Sequence, residues 1–312
     1  MDIFLRSISG ILVILGMILV GFVIGEKGWF DDKSRGLIAK LVTQIALPCY
    51  MLYTITQRFT VADLLKMLPA LRFPALSMVV LLGIATAVAK IFAVRQDRRG
   101  LFISMFFNSN TIFVGLPINQ ALFGDDSIPY VLIYYMCNTT FFWTLGTYLI
   151  QRDGEGEAQF DLKTSVKKVF SPPLMGFILG LVMVMLQIKL PAFLASDLQY
   201  LGNLTTPLSM IFIGLSVSHV GVKQLVLGKD QLLILIGRFL VAPLLMATIV
   251  YWAPLPSLMK QVFIIQSAMP VMTNAPVVAR LYGADSDYAA VMVTETTLAT
   301  MVVIPILMVL MA

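Results

Sequence analysis

The sequence predicts an all-α membrane protein: ten transmembrane helices as two inverted five-helix repeats, with broken, crossing fourth and ninth helices. Three observations lead there. The 312 residues are 59% hydrophobic and only 12% charged, against about 25% charged in a soluble domain. The apolar residues gather into runs near the length that carries a helix across about 30 Å of hydrocarbon. The chain also resembles itself when shifted by 159 residues. With so little polar sequence left over, the net charge of +5 reads as membrane topology and not as a nucleic-acid footprint. The first expected partner is therefore the lipid bilayer, and no nucleic acid is expected.

In chain order, apolar spans are predicted near 6–25, 36–56, 71–93, 101–121 and 129–150. The run from Ile8 to Ile24 leads into Glu26 and Lys27 with no small-residue cleavage site, so it is predicted to be a retained helix. A polar segment from Gln151 to Lys168 follows, and spans resume near 172–188, 199–219, 231–251, 259–281 and 288–311. The predicted organisation is a first repeat over 1–150, a cytoplasmic linker over 151–170 and a second repeat over 171–312. Cys49 and Cys137 fall inside apolar runs, where a thiol behaves as a small buried hydrophobe. No disulfide, metal or cofactor is expected.

The 159-residue shift lays Pro48 on Pro207, Pro117 on Pro276 and Gly21 on Gly180, and it lays LFGDD (122–126) on LYGAD (281–285). Because each half has an odd number of spans, the second half must enter the membrane inverted, an architecture common among secondary transporters. With the N-terminus outside, 15 Lys and Arg residues fall on the inner side. Six fall on the outer side: Arg6, Arg58, Lys66, Arg72, Lys189 and Lys260. That bias favours both termini outside and the central loop in the cytoplasm of a multi-pass protein of the cell membrane.

Two stretches interrupt otherwise apolar spans, NSNTIFVGLP from Asn108 to Pro117 and SAMPVMTNAP from Ser267 to Pro276. Irregular backbone at membrane depth is tolerated only where it is buried in protein or lines a wet cavity. Proline suits the first turn of a helix, so half-helices are predicted to begin near Pro117 and Pro276 and to point their N-termini at one place. Helix N-termini carry partial positive charge and free N–H groups, which favour an anion. Asn110, Thr111, Thr273 and Asn274 add side-chain donors there. Taken singly, such residues in a membrane helix more often pack or kink it. Their pairing at corresponding positions of two halves points instead to a binding site.

The run NTIFVGLPINQALFG, with Asn110, Thr111, Gly115 and Pro117, resembles the first crossover of the auxin efflux carrier family. QSAMPVMTNAPVVARLY, with Gln266, Pro270 and Pro276, resembles the second, and LVTQIALPCYML around Pro48 is similar to the family's second helix. The likeness spans essentially the whole chain. It implies ten helices, a scaffold domain, a transport domain carrying both crossovers, and elevator-like alternating access for an organic anion. It also implies a homodimer. With the helix-end reading of the two breaks, the substrate site is expected at Asn110, Thr111, Gly115, Pro117, Pro270, Thr273, Asn274 and Pro276. Pro270 and Pro276 stand one residue further apart than in the plant pattern, and the central loop is short. The chain thus resembles compact bacterial members whose family substrates include malate and malonate, more than it resembles auxin carriers.

Glu295 is the acidic residue well inside a span, beside Thr294, Thr296 and Thr297. An intramembrane carboxylate is a functional hypothesis by default. It is expected either to bind a coupling H⁺ or Na⁺ or to pair with Arg238 of the eighth span. The plant pattern has no acid there. Gln44 and Asn203, again 159 apart, are expected to line the cavity or to bond between helices. His219 reads as interfacial, and Arg95, Arg98 and Arg99 as topology signals before lipid contacts. One histidine, with no HExxH, GxSxG or P-loop motif, argues against an enzyme or an ATP-driven pump. The expected activity is secondary transport of a small dicarboxylate. The alternatives are a passive anion channel or a carrier of a monocarboxylate or auxin-like aromatic acid.

Overall fold

Proline and glycine set most of the helix ends. In the computed structural model, which describes residues 2–154, 170–220 and 228–311, every described element is helical. Helix α1 is Asp2–Glu26. Helix α2, Asp32–Leu41, starts where the Asp31 carboxylate accepts the Ser34 N–H at 2.8 Å. It runs through a π turn, Val42–Ala46, into α3, Leu47–Arg58, whose first turn holds Pro48. The short α4, Val61–Met67, leads to α5, Arg72–Ile91. The fourth predicted span is two helices, α6 (Arg99–Phe107) and α7 (Gly115–Phe123), and α8 (Ile128–Phe141) passes through a second π turn into α9 (Thr147–Gln151).

Beyond the linker, α10 is Pro172–Met185, and α11 (Ala192–Asn203) is separated from α12 (Thr205–Val220) at Leu204. The span predicted at 199–219 therefore starts earlier, because Pro191 caps a new helix there, and it is interrupted where none was predicted. Helix α13 (Lys229–Ile236) continues through a third π turn, Gly237–Val241, into α14 (Ala242–Tyr251). The ninth predicted span is again two helices, α15 (Ser257–Ser267) and α16 (Ala275–Tyr282), and α17 is Ser286–Met311. Helices α7 and α16 both stop at a glycine with positive φ, Gly124 at 72° and Gly283 at 74°. A side chain there would be strained, so glycine ends the helix cleanly.

Among the described residues, five helical stretches are long and apolar enough to cross a membrane: Ser34–Arg58, Leu68–Ile91, Ala192–Ser218, Lys229–Tyr251 and Ser286–Met311. Leu12–Glu26 and Pro172–Met185 are shorter apolar helices. Their outer faces carry bare Leu, Val and Ile, with Trp29, Tyr251 and Trp252 exposed at helix ends, as in the interfacial aromatic belts of membrane proteins. Residues 155–169 of the predicted linker, Lys163, Lys167 and Lys168 among them, lie outside the described residues, as do Lys223 and the side chain of His219.

The described chain divides into two compact units. One gathers residues 71–154 and 228–311, with the first turns of α1; the other gathers 13–70 and 170–219. In the second unit α3 packs along α10 and α11. The approach is close because Gly176 and Gly180 face Pro48 and Ile55, and Gly202 faces Tyr50. On α1 and α12, Gly21 and Gly214 let backbone meet backbone at Ile211 and at Ile18 and Phe22. Small residues of this kind drive helix packing where lipid removes the hydrophobic force. In the first unit α6 lies against α5 and α9, α15 against α7, α8 and α14, and α16 against α9 and α17. This unit holds both broken spans.

Candidate functional site at the two helix breaks

Residues 108–114 and 268–274 are the non-helical stretches, and they meet. The Asn110 N–H donates to the Pro270 carbonyl at 2.8 Å, joining the middle of one break to the middle of the other. Gln266, fully buried at the end of α15, donates through Nε2 to the Thr111 carbonyl at 3.2 Å. Gly115 opens α7 directly against the Gln266 amide, and a β-carbon there would collide with it. Asn119, one turn on, donates to the Gly115 carbonyl at 2.7 Å.

The first break is shaped by Asn110. Its Oδ1 accepts the Phe113 N–H at 3.1 Å and its carbonyl accepts the Gly115 N–H at 3.0 Å, a local turn that asparagine favours. With Oδ1 engaged, the amide orientation follows, and Nδ2 is a buried donor with no partner among the described residues. Beside it, Ser109 and Asn138 form a reciprocal pair. The Ser109 N–H donates to Asn138 Oδ1 at 2.9 Å, and Asn138 Nδ2 returns a bond to the Ser109 carbonyl at 2.7 Å. The α8 amide thus replaces the backbone bonds that the break loses.

The second break is held from outside. The Val271 N–H donates to Thr296 Oγ1 on α17 at 3.0 Å. The Arg238 guanidinium donates to the carbonyl of Ser267 at the end of α15, to that of Met269 in this break, and also to the carbonyl of Phe106 at the end of α6. Asn274 caps α16 by position but makes no side-chain cap bond. Thr273, Asn274 and Pro276 are half-buried, whereas Asn110, Thr111, Gly115, Pro117 and Pro270 are buried.

Of the two readings of Glu295, the ion pair with Arg238 is not formed. Arg238 spends its donors on backbone carbonyls, which lie nearer than any carboxylate. Both Glu295 oxygens are buried without a hydrogen-bond partner among the described residues. The neighbouring threonines do not serve Glu295. Thr294, Thr296, Thr297 and Thr300 turn their hydroxyls back to carbonyls of their own helix, a common habit of threonine in helices. Gln44 and Asn203 belong to the other unit and are exposed there. The basic cluster is largely engaged. Arg95 pairs with Asp97, Arg98 with Asp230 at 2.6 Å while its guanidinium stacks on Tyr288, and Arg99 bonds to the Val94 carbonyl. Sequence reasoning missed Asn138, Asn119 and Thr296 as parts of the crossover. Their one signal was an amide or hydroxyl inside an apolar run.

The sequence profile described as Membrane transport protein matches residues 7–308. The chain belongs to this family. The resemblance to auxin efflux carriers drawn from the crossover residues agrees with it. Among relatives of this Membrane transport protein chain is an uncharacterized transporter of Methanocaldococcus jannaschii. It is 28% identical over 299 residues, covering 94% of this chain and 95% of the relative. An uncharacterized transporter of Methanothermobacter thermautotrophicus is 26% identical over 312 residues, covering 97% and 98%. The chain is a membrane transporter of this family and a multi-pass membrane protein.

Proposed function

We propose that the chain is a secondary active transporter of a small organic anion, a dicarboxylate such as malate or malonate, bound where the two breaks cross. The observation that carries this reading is the Asn110 amide. It is a buried, unspent donor, fixed in orientation, at the residue whose own N–H bonds the other break. A buried donor without a partner costs on the order of 1–3 kcal/mol, which an anionic oxygen would recover. Helices α7 and α16 begin just beyond this point, so their positive ends add to the attraction.

The inverted repeat is part of the proposal. It is supported by α7 starting at Gly115 and α16 at Ala275, and by their helix-ending glycines at 124 and 283. Elevator-type movement is supported by the two compact units, one of which holds both breaks. Coupling to H⁺ or Na⁺ is assigned to Glu295, whose carboxylate has no hydrogen-bond partner among the described residues. A homodimer, outside termini and a cytoplasmic central loop complete the reading. Proteoliposomes preloaded with malate or malonate should show saturable counterflow of labelled substrate, and Asn110→Ala or Asn274→Ala should raise its KM. Flux without exchange or saturation would instead identify a passive channel.

A further inference from the structure

Arg238 is a charge with no measurable exposure, buried in the unit that carries both breaks. It stands on the π turn Gly237–Val241, and each of its bonds goes to a backbone carbonyl. Nε donates to Met269 at 3.1 Å, Nη2 to Ser267 at 2.5 Å and Met269 at 3.0 Å, and Nη1 to Phe106 at 3.1 Å. Phe106 is in the last turn of α6, Ser267 ends α15, and Met269 lies two residues beyond it. The last carbonyls of a helix have no partner within it and form its negative end. One guanidinium therefore closes the C-terminal ends of both first half-helices.

Its position is fixed by its neighbour. Gly237 lies so close to the Phe106 ring that a β-carbon there would overlap it, which seats the π turn directly on the last turn of α6. Arginine stays protonated and offers five donors in a planar fork. Lysine would bring the charge but neither the fork nor the reach to three carbonyls.

We propose that Arg238 is the positioning residue and fixed counter-charge of the crossover. It ties α6 to α15, cancels their negative ends, and leaves the positive starts of α7 and α16 dominant, so that the site requires a charged carboxylate. This rests on the organic-anion reading above. The test is counterflow of labelled malonate in phosphatidylglycerol-containing vesicles, with uncharged malonamide as competitor. The variants are Arg238→Gln, Arg238→Lys and Gly237→Ala.

The wild type should saturate with malonate and ignore malonamide. Arg238→Gln should raise the malonate KM roughly tenfold, about the size of one charge-assisted interaction, and should let malonamide compete. Arg238→Lys should restore the preference for malonate, a readout that a purely structural role would not move. A folded Arg238→Gln protein that keeps the wild-type preference overturns the proposal. If that variant does not fold, Gly237→Ala decides, since its methyl displaces Phe106 and with it the α6 carbonyl. A KM raised severalfold at unchanged kcat supports the role, and an unchanged KM overturns it. A wild type without saturable malonate exchange overturns the anion reading itself and the proposal with it, whereas failure of Arg238 alone leaves wild-type exchange intact.

Discussion

The two compact units differ in how much polar chemistry they bury. Among the described residues, the unit of 13–70 and 170–219 buries Thr54, Thr205 and Ser209 as its serine, threonine, amide or charged side chains, and every other such buried residue lies in the unit with the breaks. The first kind of interior is joined almost wholly by apolar contacts and by glycines that bring backbones together. The second also uses close glycines, at Gly100 and Gly154, and adds amides, hydroxyls and one guanidinium that replace missing helix bonds. A glycine seam tolerates no added volume but needs no particular partner, whereas a polar crossover needs each partner and can leave a group unspent for a ligand. The teaching is that buried polar groups collect where the backbone is broken.

The sharpest way to break this contrast is to add volume to the glycine seam. Gly214→Val places carbon against the backbones of Ile18 and Phe22 and should cost about 3 kcal/mol or more. Loss of monodisperse protein in detergent chromatography would be the readout; a well-folded variant would show that the seam yields. Next comes Asn138→Ala, which removes its bonds to Ser109 and should cost about 2 kcal/mol. A lowered Tm with weakened substrate binding is expected, because the same amide supports the Asn110 turn.

Glu295→Gln should change stability little, since neither carboxylate oxygen has a hydrogen-bond partner among the described residues. It should abolish the response of transport to a pH gradient while exchange persists, and an intact gradient response would remove Glu295 from coupling. The smallest effect is expected at Asp153, beyond the end of α9. Burial raises its pKa from 3.8, against the opposing bonds from the Leu101 and Gly100 N–H groups. A raised acid favours the folded state below its folded pKa. Wild-type Tm should therefore fall slightly as pH rises from about 4 through that value, and Asp153→Asn should flatten the slope.

Much of this was legible in the chain. Pro117 and Pro276 announced the starts of α7 and α16, and the breaks fell where asparagine, threonine and serine interrupted apolar runs. The all-helical class followed from composition. What stayed hidden depended on backbone atoms, which every residue carries. Charge logic offered Arg238 as one partner for Glu295, but helix-end carbonyls took its donors, and no side-chain pattern marks a carbonyl. The π turns at 42–46, 142–146 and 237–241 were equally silent, because one extra residue in a helix leaves no compositional mark. The reciprocal Ser109–Asn138 pair joins positions 29 apart and exists only once α8 is folded beside the break.

Asp153 and Gly154 have a mechanical consequence. The Asp153 carboxylate accepts the Gly100 and Leu101 N–H groups at 2.9 and 2.6 Å, gripping the start of α6. Gly154 presses on the carbonyl of Tyr282, the last residue of α16. A two-residue rivet thus fastens the far end of one broken span to the far end of the other. Any displacement of Asp153 and Gly154 therefore acts on both broken spans at once, as through the handle of a lever.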